Sequence, residues 1–243
     1  MQHMLVLRRV VCPGAARIPD VWTRSFGLVE FAGQWPPSEQ RQFESDMRVI
    51  RDFITAPEEQ LLMREIEPHI SRLPYESSHW DEAIHGYREL ERRKWSPENR
   101  AMLERVSQAA FCGQVMPFVH ILDLAVSGVI KPHVDSTRVS WTMEDARRFH
   151  SHLPICTRQF CGNTIAGISL LSDCVMRLKR VTKDLDSVGH SADLLLPRRS
   201  LYIMSALARY EFTHEILARD QSWFKKRLVE RSRRISVICR NEP

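Results

Sequence analysis

From residue 117 to its C-terminus the chain carries the hydrophobic period of β-strands. Residues 119–126, 129–135, 164–171, 175–181, 193–196, 201–205, 212–217 and 234–240 alternate in polarity or run apolar, and turn residues rather than helical stretches separate most of them. Gly128 reads as the turn between the first two. About eight short strands at this spacing predict a mainly β fold with supporting α: a double-stranded β-helix, the cupin-like jelly roll. The helices of such a chain must then pack on one face of a sheet and support it.

Two upstream segments have the helical period those supports require. One opens at Thr55 or Pro57 and carries Leu61, Leu62, Ile66 and Ile70 before Pro74 ends it. The other starts with Ser96 as cap and Pro97 in the first turn, and runs to about Phe111 on Leu103, Val106 and Ala110. A short strand precedes them near Arg48-Val49-Ile50, and residues 75–95 read as a polar, aromatic loop or edge hairpin. This divides one domain, 46–243, into helical support over 46–115 and the jelly roll over 116–243. Residues 137–159 interrupt the strands and could form a short amphipathic helix around Trp141 to Arg148. An insertion of that length is either a functional lid or an excursion introduced in predicting the coding sequence.

The first 45 residues read as a transit peptide and a linker. Arg8, Arg9, Arg17 and Arg24 alternate with apolar residues, and Asp20 is the one acid before Glu30, as in a mitochondrial leader. Arg8 and Arg9 interrupt the apolar run that a secretory signal would need. Trp35-Pro36-Pro37-Ser38 marks 30–45 as the linker. The expected address is the mitochondrial matrix, with no membrane insertion, since no apolar run is long enough to span a bilayer. The cysteines, Cys12, Cys112, Cys156, Cys161, Cys174 and Cys239, contain no Cys-x-x-Cys pair and read as reduced thiols. A net charge of +5 permits an acidic partner without requiring one, and the run Arg231 to Arg234 reads as solvated apart from Arg234.

Within the strands, Ile130-Lys131-Pro132-His133-Val134-Asp135 places an imidazole and a carboxylate two residues apart, hence on one face. His214, in Glu211-Phe212-Thr213-His214-Glu215, is the best third donor. Two neutral imidazoles and one carboxylate make the facial triad of non-haem Fe(II) oxygenases, which leaves three coordination positions open. Those positions suit a chelating keto acid and O2. The far carboxylate of a dicarboxylic keto acid would be buried and would need a guanidinium. In the last strand Arg234, Ser236, Ile238 and Arg240 share one face and Ile235, Val237 and Cys239 the other. Two arginines on one strand face are odd for a purely structural strand.

The order His133-x-Asp135, His214, Arg234-x5-Arg240 resembles the AlkB family of Fe(II)- and 2-oxoglutarate-dependent dioxygenases. Ser78-His79-Trp80-Asp81-Glu82-Ala83-Ile84-His85-Gly86, Ile130 to Ser136, Thr164-Ile165-Ala166-Gly167, Ser200-Leu201-Tyr202-Ile203 and Arg233 to Arg240 are most similar to its mitochondrial branch in animals. The resemblance spans roughly 47–136 and 160–243 and implies His133, Asp135 and His214 as catalytic iron ligands. It also implies Arg234 on the distal carboxylate of 2-oxoglutarate, Tyr202 hydrogen-bonded to the same co-substrate, and Arg240 near the metal-proximal end. The implied prime substrate is a protein, with links to regulated necrosis and fatty-acid metabolism. Methylated RNA is the alternative, with Trp80, Tyr87 and Trp95 as an aromatic platform, and an inactive jelly-roll scaffold is a third. Leu122 and Leu124 stand where nucleic-acid-repairing members carry Asn and Tyr, Ser236 replaces their Asn, and the 137–159 insertion is foreign to the branch. His79, Trp80, Asp81 and His85 read as loop packing rather than a second site. The oligomeric state stays open.

Overall fold

A computed structural model describes residues 27–77, 79, 82–111, 115, 117–135, 162–181 and 189–241. The leader and the 137–159 insertion lie outside the described residues. The mainly β expectation holds, and a single strand organises the architecture: β4, Val119–His133 in chain order. Its first part pairs antiparallel with β3 (Ile84–Arg92) on one side and β12 (Arg234–Arg240) on the other. Its last part leaves β12, keeps β3 as far as Ile130, and pairs on its other side with β9 (Phe212–Ile216). One sheet therefore continues from β12 through β5 (Thr164–Leu170) and β8 (Leu201–Ser205) to β2 (Met47–Ile50). The other continues from β9 through β6 (Cys174–Arg180) and β7 (Ser191–Leu196) to β1 (Val29–Ala32). This curled antiparallel double sheet is the expected jelly roll. A small hairpin, β10 (Trp223–Phe224) and β11 (Arg227–Leu228), stands apart from it.

The turn expected at Gly128 is not there. Gly86, at φ +62, forms a bulge in β3 opposite this point, and a Cβ on Gly128 would collide with the Gly86 carbonyl. The glycine thus marks a close backbone approach where β4 passes from one sheet to the other. Carbonyls freed by that passage are collected by one buried side chain: Arg231 donates to Ala125 O at 2.9 Å, to Val126 O at 3.2 Å and to Gly128 O. This corrects the expectation that Arg231 to Arg234 is a solvated run. Arg233 is also engaged, with Asp123 at 2.7 Å and Glu67 at 3.0 Å.

The supporting helices form as their caps and periods predict. In α2 (Ala56–Ile70) Thr55 closes a capping box with Glu58, and Leu62, Ile66 and Ile70 are fully buried along one stripe. In α3 (Pro97–Ala110) Ser96 caps Asn99, and Met102, Val106 and Ala109 are buried. Both stripes lie on Ile235, Val237 and Cys239 of β12 together with Ala166, Ile168 and Leu170 of β5. Each fully buried aliphatic side chain contributes about 1.5–3 kcal/mol, so the helices hold that sheet flat against the second core between the sheets.

Residues 30–45 are no linker. Val29–Ala32 adds a strand beside β7, and α1 (Pro37–Asp46) follows, with Pro37 in its first turn. The prolines that look like linker chemistry here start a helix, and aromatic contacts explain its order. Trp35 stacks on Phe212 at 5.5 Å, meets Phe43 at 5.1 Å, and donates its Nε1 proton to Ser191 O at 3.1 Å. Within the stretch 75–95, read as a loop or edge hairpin, Ile84–Arg92 forms the edge strand β3 and Glu76 bridges back to Tyr87.

Candidate active site

His133 ends β4 and His214 lies directly across from it on β9, so the pairing of two strands sets the two imidazoles side by side. Their ring centroids are 4.2 Å apart at an interplanar angle of 46°. Asp135 follows two residues past His133 and turns into the same space. Its Oδ1 is 3.7 Å from His133 Nε2 and its Oδ2 is 3.8 Å from His214 Nε2. One ligand atom from each residue lies within 4.8 Å of the other two. Donors at right angles on an ion with bonds near 2.1 Å sit roughly 3 Å apart, so a small closure would complete a facial set.

The protonation states suit such a set. His133 Nδ1 lies 2.9 Å from Lys131 O; a proton donated there leaves the Nε2 lone pair aimed at the shared space. Burial pushes His214 down to about 4, so its imidazole is neutral at ordinary pH. For Asp135 burial works upward, but His214, Arg240, His133 and Arg209 outweigh it and hold the carboxyl below its usual range. The three side chains are 12–26% exposed, open enough for small molecules to arrive.

Deeper between the sheets Arg234 is 2% exposed. Its Nε donates to Ser169 Oγ at 3.1 Å, while Nη2 is buried with no hydrogen-bond partner among the described residues. A buried guanidinium proton without an acceptor fits an absent carboxylate. The strand-face expectation holds: Ile238 packs between the sheets while Ile235, Val237 and Cys239 face the helices. Tyr202 lies over β5 at Gly167, where a Cβ would collide with its ring. Burial, opposed by Arg234, raises the Tyr202 phenol above its ordinary value, so it remains a proton donor. Leu122 and Leu124 pair with Ser236 and Arg234 and make the adjoining wall apolar.

Some site residues were not singled out from the sequence. Gly167 has a usable signal, a glycine inside a strand. Arg209 is fully buried 4.0 Å from Asp135, and its signal is a lone arginine in Ala206-Leu207-Ala208-Arg209, five residues before His214. Glu89 and His120 pair at 2.8 Å on the same sheet face as Leu122, and no local pattern marks them. As expected, His85 is absorbed in loop contacts with Ser77 O and Glu82 O, and His79 packs on Tyr87. Trp80 and Asp81 lie outside the described residues. Cys174 and Cys239 are free and buried.

Two imidazoles and a carboxylate on facing strands of a curled double sheet, with a buried guanidinium beyond them, define a class: the non-haem Fe(II), 2-oxoglutarate-dependent dioxygenases. Comparison with known proteins agrees. The chain is 46% identical over 201 residues to the mitochondrial alpha-ketoglutarate-dependent dioxygenase alkB homolog 7 of Bos taurus, covering 82% of this chain and 80% of that one. It is 44% identical over 193 residues to the Mus musculus protein of the same name, covering 79% and 76%. The chain belongs to this family, the alkB homolog 7 dioxygenases. Fe(II), 2-oxoglutarate and O2 are the cofactor and co-substrates of that chemistry. No protein-family model matches the chain. Among solved structures, OsALKBH1 aligns at 12% identity and TM-score 0.47 over 81% of this chain and 98% of that one. A Pseudomonas putida prolyl-4-hydroxylase aligns at 14% and 0.48 over 82% and 93%.

Proposed function

We propose that the chain works in the mitochondrial matrix and hydroxylates a side chain of a protein substrate, with His133, Asp135 and His214 holding the iron. Arg234 takes the far carboxylate of 2-oxoglutarate, Tyr202 donates a hydrogen bond to the same molecule, and Arg240 stands at the metal-proximal end. With Fe(II) bound, 2-oxoglutarate and O2 supply the oxidation: the keto acid loses CO2 and leaves as succinate with one oxygen atom, while the other enters a C–H bond of the prime substrate. The chain's own work is positional. The buried, unpartnered Nη2 of Arg234 is the observation that carries the co-substrate assignment, because a dianion offers it the acceptor it lacks. Arg234 and Arg240, both acting on Tyr202, give a cationic hollow suited to that dianion.

A protein substrate is favoured over methylated RNA by the state of the aromatic residues that would make a platform. Tyr87 is 2% and Trp95 9% exposed, so neither offers a free face for a base. Glu89 and Glu91 of β3 add negative charge beside the same sheet face. RNA binding should therefore be weak with a shallow salt dependence; tight binding that falls steeply with salt would overturn the protein reading. The family resemblance further ties such an enzyme to regulated necrosis and fatty-acid metabolism. Succinate release that depends on Fe(II) and 2-oxoglutarate, and that disappears in His133→Ala, is the direct test of turnover. Release unchanged in that variant would contradict the ligand set.

The Tyr202 contact has its own test. Gly167→Ala should push the phenol off its seat and weaken 2-oxoglutarate binding about tenfold, the loss expected for a hydrogen bond to a charged group. Mn(II) affinity should be unchanged. Calorimetric titration of both ligands checks this, and an unaltered 2-oxoglutarate affinity would remove Tyr202 from the contacts.

A further inference from the structure

We propose that Arg209 is a positioning residue: its guanidinium holds one oxygen of Asp135, so that the carboxylate binds iron through the other oxygen alone. The inference rests on the ligand set proposed above and extends it to a residue that touches neither iron nor substrate.

Arg209 sits in α4 (Ala206–Tyr210), the short helix between β8 and β9. It is fully buried, and its Nε, Nη1 and Nη2 have no hydrogen-bond partner among the described residues. A guanidinium in that state is strongly disfavoured unless an anion is at hand. Asp135 Oδ2 lies 4.0 Å from Nη1, one short movement away from a charge-assisted hydrogen bond. With no exposed surface, Arg209 offers no approach to a substrate or a free anion, so its partner is a group already inside the protein.

The start of the helix that carries it is tied to Asp46. Ser205 Oγ donates to Asp46 O at 3.1 Å and the Leu207 amide to Asp46 Oδ2 at 3.2 Å. Ala206, at φ +37, adopts a left-handed backbone that alanine rarely takes. Strain of this kind persists where its surroundings over-determine it, and here it turns the chain directly out of β8 into the short helix that brings Arg209 within 4.0 Å of Asp135.

The chemical consequence concerns the number of open positions. A carboxylate that chelates through both oxygens occupies two positions on an octahedral ion, and with two imidazoles it leaves two. Bound through one oxygen it leaves three, enough for a bidentate keto acid and O2 together. A fixed donor on Oδ2 favours the second arrangement, and it also turns Oδ1 toward the space shared with His133 Nε2.

The test uses the full chain and Mn(II), followed by Fe(II) with 2-oxoglutarate under anaerobic conditions. Arg209→Met should weaken Mn(II) binding by about ten- to a hundredfold, the usual loss when a partner of a metal ligand is removed. It should also shift the visible charge-transfer band of the Fe(II) complex with 2-oxoglutarate, which reports coordination and not folding. Arg209→Lys keeps the charge but cannot present a fork, so its affinity should fall less while the band still shifts. A lysine variant with wild-type affinity and an unshifted band overturns the proposal, even where the methionine variant does not fold. His133→Ala separates the two layers. If it retains Mn(II), the ligand set has failed and this inference with it; if it loses Mn(II) while both Arg209 variants bind and absorb as wild type, only the role of Arg209 is overturned.

Discussion

Replacing Arg234 with methionine will leave Mn(II) binding intact and weaken 2-oxoglutarate binding by about thirty- to several-thousandfold. Truncating one partner of a buried, hydrogen-bonded charge pair costs about 2–5 kcal/mol, and each 1.4 kcal/mol is a factor of about ten in affinity. Methionine fills similar space, so the strand keeps its place between the sheets, yet a carboxylate bound there would meet sulfur and methyl in place of the guanidinium whose Nη2 is unpartnered among the described residues. Arg234→Lys should recover part of the loss, because an ammonium restores the charge without the fork. The Ser169 contact of Nε already fixes the guanidinium plane, which is why a point charge is a poor substitute. Equal 2-oxoglutarate affinity in wild type and Arg234→Met would take the co-substrate out of this hollow.

The second large effect is on stability. Asp123 is completely buried and accepts from Arg88 Nε at 2.8 Å, from Arg233 Nη2 at 2.7 Å and from Tyr75 at 3.3 Å. Its register sets it between Arg88 on β3 and Ile235 on β12, so one carboxylate ties three adjacent strands to α2 through Arg233 and Glu67. Asp123→Ala strands Arg88, which is 9% exposed, while Arg233 keeps Glu67. Breaking a buried pair in this way should destabilise the fold by about 3–5 kcal/mol. For a domain of this size that lowers the melting temperature by on the order of 10 °C. Thermal unfolding checks it, and a loss under about 1 kcal/mol would mean the network is solvated. Tyr75→Phe, which leaves both ion pairs in place, should cost far less.

Much of this architecture was legible in the chain because alternation is a local property. The spacing of His133 and Asp135 points both at one space, which they do share although β4 ends at His133, and the last strand sorts its arginines from Ile235, Val237 and Cys239 by alternation. Helix caps at Thr55 and Ser96 are equally local. What failed depends on partners far along the chain. Pro36 and Pro37 look like linker residues until Trp35 finds Phe212. Gly128 looks like a turn until the β3 bulge occupies the space above it. Arg231 and Arg233 look like a solvated basic run, since nothing near them in sequence announces the carbonyls of β4 or the carboxylate of Asp123. Arg209 is the extreme case: its significance lies in a distance to Asp135 across the fold.

The proposed site holds one ion and one keto acid in a single hollow between two sheets. Diffraction at the iron edge, from crystals grown anaerobically with Fe(II) and 2-oxoglutarate, measures both together. The predicted result is a single anomalous peak bonded to His133 Nε2, His214 Nε2 and one oxygen of Asp135, with the far carboxylate of 2-oxoglutarate on Arg234. An iron peak elsewhere, or 2-oxoglutarate bound away from Arg234, would contradict it.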